Sequence, residues 1–348
     1  MTPAATPPSP AAGLPTDRPL VVGHRGASGY RPEHTRSAYE LAARMGADLL
    51  EQDVVVTADH VLVVRHENDL AGTTDIAARP ELADRRTTKV VDGVEHTGWF
   101  TEDLTLEELK TLRAVERLPE VRPGNQEFDG LDEVLTLREV FELREELSAR
   151  LGREVGLYPE IKHSAYFAGL GLPIEPLLAD LLEEFGQNRP DGMVLLHAFE
   201  PSSLDTLRDL GVTARSSLLM HNGGTPPDAG PGDPDYAWWS SPAGLAEVRR
   251  RGFSGVSPDL SMVISIGTGG SMGEPTGLVA AAHAEGLWVH PYTLRAENQF
   301  MFTDFRRGTD PAALGDYAGM AGAFLDAGVD AVNTDQPDLG VAAVDQRR

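Results

Sequence analysis

Leu20-Val21-Val22-Gly23-His24-Arg25-Gly26 opens the folded part of the chain, and Asp48-Leu49-Leu50-Glu51-Gln52-Asp53-Val54-Val55-Val56 answers it after an amphipathic stretch over 35–45. The outer segments are β-branched and apolar, whereas the middle one has helical periodicity, so the three read as strand, helix, strand. The same rhythm continues downstream. Strands are expected over 155–160, 193–197, 214–220, 255–257, 287–292 and 329–333, and helices over 173–185, 201–210, 242–251, 275–285 and 312–327. Strands alternating with helices imply a parallel sheet covered by helices. With Val61-Leu62-Val63-Val64-Arg65-His66 there are nine strand candidates, against the eight of a closed (β/α)8 barrel. A TIM barrel with one short extra strand is therefore expected, the link from Val56 to Val61 being too short for a helix. A doubly wound open sheet is the alternative, but no GxGxxG turn follows the first strand.

Composition narrows the function. The 348 residues carry 54 acidic and 30 basic side chains, a formal charge of -24, which disfavours a phosphate backbone as partner and so excludes nucleic-acid binding. No apolar run is long enough to span a bilayer. Cysteine is absent, which removes disulfides, thiolate metal sites and thiol nucleophiles. Most of the acidic excess, as over 102–108 and 142–146, is assigned to solvated helix faces.

Residues 1–17 are rich in Pro and Ala and read as a disordered leader, without the basic start and apolar stretch of a signal peptide. The folded domain is expected over 18–348. Two stretches break its rhythm. One, over 67–154, is far longer than a strand-to-helix loop and reads as a subdomain inserted after the third strand, with polar loops at 84–95 and 121–130 and helices at 106–114 and 137–147. The other, over 221–236, is a Gly/Pro-rich loop.

The chemistry-bearing residues fall at strand ends. His24 and Arg25 end the first strand, Glu51 and Asp53 lie late in the second, His66 ends the third, and Glu160 and Lys162 end the fourth. In a parallel barrel the C-terminal strand ends share one mouth, so these seven groups should converge. Residues two apart on a strand face the same side, which aims Glu51 with Asp53, and Glu160 with Lys162, inward. Three inward carboxylates repel one another unless a cation compensates, and their oxygen donors suit Mg²⁺ or Ca²⁺ better than Zn²⁺. The bland reading pairs them with Arg25 and Lys162 in an ion-pair network. Two histidines beside such a cluster can exchange protons near neutral pH, and Arg25 can grip a phosphate. Together they point to metal-assisted phosphodiester hydrolysis.

Other residues carry weaker signals. His34 is expected to fix a turn; His60, His96, His163 and His283 fall in turns, loops or helix and are expected at the surface. His197 and His290, at strand ends, are pocket candidates. Phe199 and Tyr292 are candidates for stacking on the apolar edge of a substrate, Trp288 for the core, and Trp238-Trp239 for a loop anchor or lid. Ser28 has no partners at triad spacing.

His24-Arg25-Gly26-Ala27-Ser28-Gly29-Tyr30, Pro32-Glu33-His34-Thr35 and Glu51-Gln52-Asp53 resemble the glycerophosphodiester phosphodiesterase family. So do Val63-Val64-Arg65-His66, Tyr158-Pro159-Glu160-Ile161-Lys162, Val289-His290-Pro291-Tyr292-Thr293 and Asn333-Thr334-Asp335-Gln336-Pro337. Thr97-Gly98-Trp99-Phe100-Thr101-Glu102-Asp103 is similar to the longer, periplasmic or secreted branch. The resemblance implies a TIM barrel with an insertion, and hydrolysis of small glycerophosphodiesters to an alcohol and sn-glycerol 3-phosphate. It further implies Glu51, Asp53 and Glu160 as ligands of one divalent cation, Ca²⁺ in this branch and Mg²⁺ in others. By the same resemblance His24 and His66 are general base and acid, while Arg25 and Lys162 are phosphate contacts. Glu67, where aspartate is common, and Asn333 depart from the pattern. Two other readings compete: action on lipid or teichoic-acid phosphodiesters, and a non-catalytic barrel binding phosphorylated ligands. The branch implies export, whereas the N-terminus as it stands suggests none.

Overall fold

The structure is a computed structural model that describes residues 18–347, so the expected leader over 1–17 lies outside the described residues. Its strands are β1 (Leu20–Gly23), β2 (Leu49–Val56), β3 (Leu62–Val64), β4 (Thr87–Val91), β5 (Val94–Gly98), β6 (Gly156–Ile161), β7 (Leu196–Ala198), β8 (Ser216–Met220), β9 (Gly255–Pro258), β10 (Ile264–Ile266), β11 (Met272–Pro275), β12 (Trp288–Val289) and β13 (Ala331–Thr334). Eight of them, β1, β2, β6, β7, β8, β9, β12 and β13, form a parallel, nearly closed barrel with helices around it, the expected TIM barrel. The extra strand is β3, which pairs antiparallel with β2 and lies off the barrel circuit. Among the described residues no helix is long and apolar enough to cross a membrane.

Alternation along the strands builds two cores. Outward residues such as Val21, Leu50, Leu157, Leu196, Val256, Val289 and Val332 join the helices in one large apolar layer. Inward residues Leu20, Val22, Leu49, Tyr158, Leu195, Trp288 and Ala331 fill the barrel floor. The same inward register, carried two residues on, meets His24, Glu51, Glu160, His197, His290 and Asn333. Each of these strands thus changes from apolar to polar as it climbs towards the mouth.

The turn after β1 depends on backbone conformation. Arg25 and Gly26 both have positive φ, 57° and 86°. At Gly26 a Cβ would come within 2.7 Å of the Ala38 carbonyl carbon, so the helix Arg36–Met45 packs against the turn only because no side chain intervenes. Thr35 caps that helix by accepting from the Ala38 amide.

Between β2 and β6 the chain leaves the barrel. The stretch 84–95, read as a polar loop, instead contributes β4 and the start of β5, a hairpin turning at Asp92-Gly93 with φ of 49° and 80°. Its strands are mostly exposed, Val90 and Val94 among them, so it lacks the apolar alternation of a half-buried strand; the Asp-Gly turn signal was present. The helix Leu137–Leu151 then packs on β6 and on the helix Arg36–Met45. A second unanticipated hairpin, β10–β11, follows β9. Trp239 is buried and anchors the loop after β8, while Trp238 is exposed.

Closure between β12 and β13 runs through Asp330. Its amide donates to the Val289 carbonyl at 2.9 Å, and its carboxylate accepts from the Val289 amide at 2.7 Å. The carboxylate also holds His283 at 2.9 Å, so this histidine is half-buried rather than at the surface as expected. That hydrogen bond raises the His283 pKa above its ordinary 6.5. A raised folded-state pKa gives stability that is full below the unfolded value and lost as pH rises through the folded one. His283→Gln should therefore lower unfolding free energy by about 0.5 kcal/mol at pH 5.5, with a smaller loss at pH 8.5, in paired urea titrations.

Candidate active site

The mouth encloses a cavity of about 500 Å³. His24, Arg25, Glu51, His66, Glu160, Lys162, Phe199 and Tyr292 all line it, so eight of the nine sequence-predicted site residues meet there. Asp53 is buried directly behind, with its Oδ2 on His34 Nε2 at 2.8 Å and near Arg25 Nε at 3.1 Å. Its Oδ1 faces Lys162 Nζ at 3.7 Å. His34, expected only to fix a turn, is thus fully buried and joins Asp53 to the Tyr39 hydroxyl, 2.8 Å from its Nδ1.

His66 arrives by a route that the parallel-strand argument did not foresee. β2 rises past the rim to Val56, and the antiparallel β3 brings the chain back down, with Val64 beside Val54 and the Arg65 amide on the Asp53 carbonyl. The histidine therefore descends to the level of Asp53 instead of capping a parallel strand.

Both histidines are held in the same way. His24 Nδ1 lies 2.6 Å from Asp335 Oδ1, and His66 Nδ1 contacts Glu67. With Nδ1 engaged by a carboxylate, each ring is left with Nε2 for other partners. Each carboxylate is then gripped by arginine. Asp335 receives Arg122 at 2.6 Å and Arg295 at 2.8 Å, while Glu67 receives Arg117 at 2.6 Å. Arg117 also clamps Glu33, which binds Arg25, and Arg122 also holds Glu297 at 2.6 Å. Arg117 and Arg122, five positions apart in the excursion between β2 and β6, thus brace both imidazoles. Sequence reasoning missed this role of Asp335 and both arginines. Asp335 was visible in the closing Asn-Thr-Asp motif, whereas nothing local to Arg117 or Arg122 distinguishes them from surface arginines.

Charge in the cavity is unevenly balanced. Asp53 stays well below the ordinary carboxylate range because His66, Arg25 and Lys162 outweigh its burial. Glu51 is pushed well above that range by burial and by Asp53, although one of its oxygens accepts the Arg25 amide at 2.7 Å. Glu160 is pushed up to about 7, chiefly by burial, despite Lys162 at 2.7 Å. Burial with Arg25 pushes His24 down to about 4; burial with Arg25 and Lys162 pushes His66 down to about 3.

Among the described residues lining the cavity, Glu51 Oε1, His197 Nδ1, Arg25 Nε and Asn333 Oδ1 are buried without a hydrogen-bond partner, and of these Glu51 Oε1 and His197 Nδ1 are acceptors or ligand atoms on carboxylate and imidazole. Glu51, Glu160 and His197 each offer a ligating atom, and these atoms lie within 4.8 Å of one another. Such a cluster can hold a metal ion. His197 lines the cavity, as expected; His290, the other strand-end candidate, does not, its Nδ1 lying 3.3 Å from the Tyr158 hydroxyl.

The aromatic side chains of the wall pack on one another. Phe199 stacks on His221 at 4.2 Å and has Lys162 Nζ 5.8 Å from its centroid; Tyr292 meets it edge-on. Asp92, His163, Glu200, His221 and Asp259, none of them a site candidate from the sequence, add to the lining. His163 was expected at the surface; it is half-buried and pins the hairpin tip through Asp92 at 2.6 Å.

The model of the glycerophosphoryl diester phosphodiesterase family matches residues 24–339. The chain belongs to this family. It is similar to a glycerophosphodiester phosphodiesterase of Arabidopsis thaliana, 32% identical across 90% of this chain and 85% of the relative. One from Haemophilus influenzae is 29% identical across 92% and 88%. Among solved structures, an Oleispira antarctica phosphodiesterase in complex with the product sn-glycerol-3-phosphate superimposes with a TM-score of 0.62 at 19% identity, covering 94% of this chain and 97% of that one. A glycerophosphodiester phosphodiesterase from Agrobacterium tumefaciens gives 0.57 at 20% identity, covering 93% and 99%. At such identities the superpositions establish the fold. The family's reaction is hydrolysis of glycerophosphodiesters, in agreement with the enzymatic activity expected from the sequence motifs.

The bracing ion pairs make a stability prediction. Arg122, Glu297 and Asp335 are almost wholly buried, and Arg122→Met takes from Glu297 its guanidinium partner, leaving it Gln336, and from Asp335 one of its two. A loss of about 3 kcal/mol is expected in urea unfolding. Arg36→Ala, which breaks the exposed pair with Glu146, should change it by no more than about 0.5 kcal/mol.

Proposed function

We propose that this cavity hydrolyses small glycerophosphodiesters to an alcohol and sn-glycerol 3-phosphate, using one divalent cation and the histidine pair. The observation that carries the reading is the under-compensated charge at the mouth. Glu51 and Glu160 are buried carboxylates pushed towards protonation, and Glu51 keeps an oxygen without any partner. A cation seated among them would remove that penalty. On this reading Glu51, Asp53 and Glu160 hold it, Ca²⁺ in preference to Mg²⁺. The bound cation would supply positive charge to the phosphate and lower the barrier to displacement at phosphorus.

The chain's own groups then divide the remaining work. Arg25 and Lys162 grip the nonbridging phosphate oxygens, beside a wall formed by Phe199 and Tyr292. His24, neutral before substrate arrives, takes the proton of the glycerol hydroxyl next to the ester, and Asp335 stabilises the imidazolium that forms. The hydroxyl oxygen bonds to phosphorus, the ester bond to the leaving alcohol breaks, and His66, which has taken a proton from solvent as the bound phosphate offsets Arg25 and Lys162, passes that proton to the alcohol. Water opens the resulting cyclic phosphate with the two imidazoles in exchanged roles. The subdomain over 67–154 serves in this scheme as the support of the mouth, through Asp92, Arg117 and Arg122.

Removing either imidazole should cost about 10²-fold or more in turnover. His24→Ala and His66→Ala are therefore expected to lose at least that much kcat on glycerophosphocholine, with glycerol 3-phosphate release as the readout. EDTA should abolish wild-type release, and added Ca²⁺ should restore it. Near-normal turnover in both variants would remove the acid–base assignment; undiminished activity in EDTA would remove the cation.

A further inference from the structure

The register across three neighbouring barrel strands sets Asp53 beside Glu160 and Glu160 beside His197. Partners in parallel register face the same side, so His197 looks into the mouth with the carboxylates. Its ring is fixed twice over. It stacks on Tyr158 with centroids 4.0 Å apart and planes at 13°, and its Nε2 lies 3.1 Å from the Tyr158 carbonyl oxygen. A carbonyl oxygen can only accept, so Nε2 carries the ring proton and Nδ1 keeps its lone pair.

That lone pair is the unusual feature. His197 is 2% exposed, its Nδ1 has no hydrogen-bond partner, and a nitrogen of its ring lies within 4.8 Å of ligating oxygens of Glu51 and Glu160, with Nε2 already engaged by the Tyr158 carbonyl. A buried imidazole nitrogen left unpaired costs the protein its desolvation without return unless something occupies the space in front of it. A proton from Glu51 would satisfy the nitrogen and leave Glu160 with Lys162 as its partner, whereas a cation engages all three ligating atoms together.

We infer that His197 Nδ1 is a ligand of the divalent cation, giving a mixed nitrogen–oxygen site that binds Mn²⁺ and Co²⁺ more tightly than the carboxylates alone would. The inference rests on the cation reading above and adds to it a fourth donor from β7. Ca²⁺ takes oxygen ligands and gains little from an imidazole, whereas Mn²⁺ and Co²⁺ accept nitrogen readily. The ring's carbonyl partner then acts as the outer contact that orients a metal-bound histidine. The same stacking that buries the ring thus fixes the direction of its donor atom.

Calorimetric titration of the wild-type chain and of His197→Phe with CaCl2, MnCl2 and CoCl2 tests this. Phenylalanine keeps a ring on Tyr158 and deletes only the donor. The expected result is a loss of Mn²⁺ and Co²⁺ affinity of about tenfold or more, with Ca²⁺ affinity within about threefold of wild type. Equal losses for all three ions, or no loss, would overturn the assignment. Should the variant not fold by circular dichroism, the unaltered protein loaded with Mn²⁺ decides: electron spin-echo modulation from a directly bound ¹⁴N is expected, and its absence overturns the assignment. Wild type that hydrolyses glycerophosphocholine and binds ions but shows no ¹⁴N coupling would sink only the His197 ligand, whereas wild type binding none of the three ions would sink the cation reading with it.

Discussion

Three buried carboxylates crowd the mouth of the barrel, Asp53 and Glu160 in register and Glu51 one inward step below, where solvent screens them little. That constraint orders everything around the mouth. Asp53 meets it with positive and hydrogen-bonding neighbours, Arg25, His34 and Lys162, and stays ionised. Glu51 and Glu160 have fewer such neighbours than their burial demands and are driven towards protonation. Lys162 alone is shared between Glu160 and Asp53, so it cannot fully neutralise both. A second positive centre is the economical physical solution, and a protein that only needed stability would have replaced the cluster with apolar side chains.

A second layer of ion pairs keeps the reactive groups in place. Asp335 and Glu67 each take an imidazole on one side and guanidinium groups on the other. Arg117 and Arg122 come from outside the barrel strands, so the orientation of both histidines depends on how the excursion between β2 and β6 docks. Barrel and excursion are thereby coupled through buried charge rather than through apolar area alone. Breaking one guanidinium contact would therefore disturb the setting of an imidazole and the stability of the fold together, because the same carboxylates hold both.

Much of this was legible in the sequence because alternation along a strand is a hard geometric rule. Leu20, Val22 and His24, or Leu49, Glu51 and Asp53, follow one face by counting in twos, and the change from apolar to polar marks where the floor ends. Strand ends could therefore be assigned to the mouth from residue spacing. Features that depend on chain reversal were not accessible in this way. His66 comes to the site because β3 runs antiparallel, and antiparallel pairing is not encoded in the six residues Val61 to His66. Likewise Arg117 and Arg122 acquire their partners only through long-range packing, since an arginine in a loop reads alike whether its partner is water or a buried aspartate. The hairpin at Asp92-Gly93 lies between these cases: its turn residues were informative, but its exposed strands gave no apolar period to support them.

The low proton affinities of His24 and His66 have a consequence for the proposed chemistry. Burial lowers both, Arg25 adds to it in both, and Lys162 adds to it in His66, so the groups that would hold phosphate help to keep the free imidazoles neutral. A bound phosphodiester brings negative charge between those cations and the rings. Its arrival weakens the repulsion and raises the affinity of each imidazole for a proton while Asp335 and Glu67 remain in place. The free site would then rest with two available bases, and the acid would be created by substrate binding itself. Such coupling confines proton transfer to the loaded cavity, and it requires that the anion-binding and proton-transfer residues be packed against one another, as Arg25 and His24 are by being adjacent in the turn that follows β1.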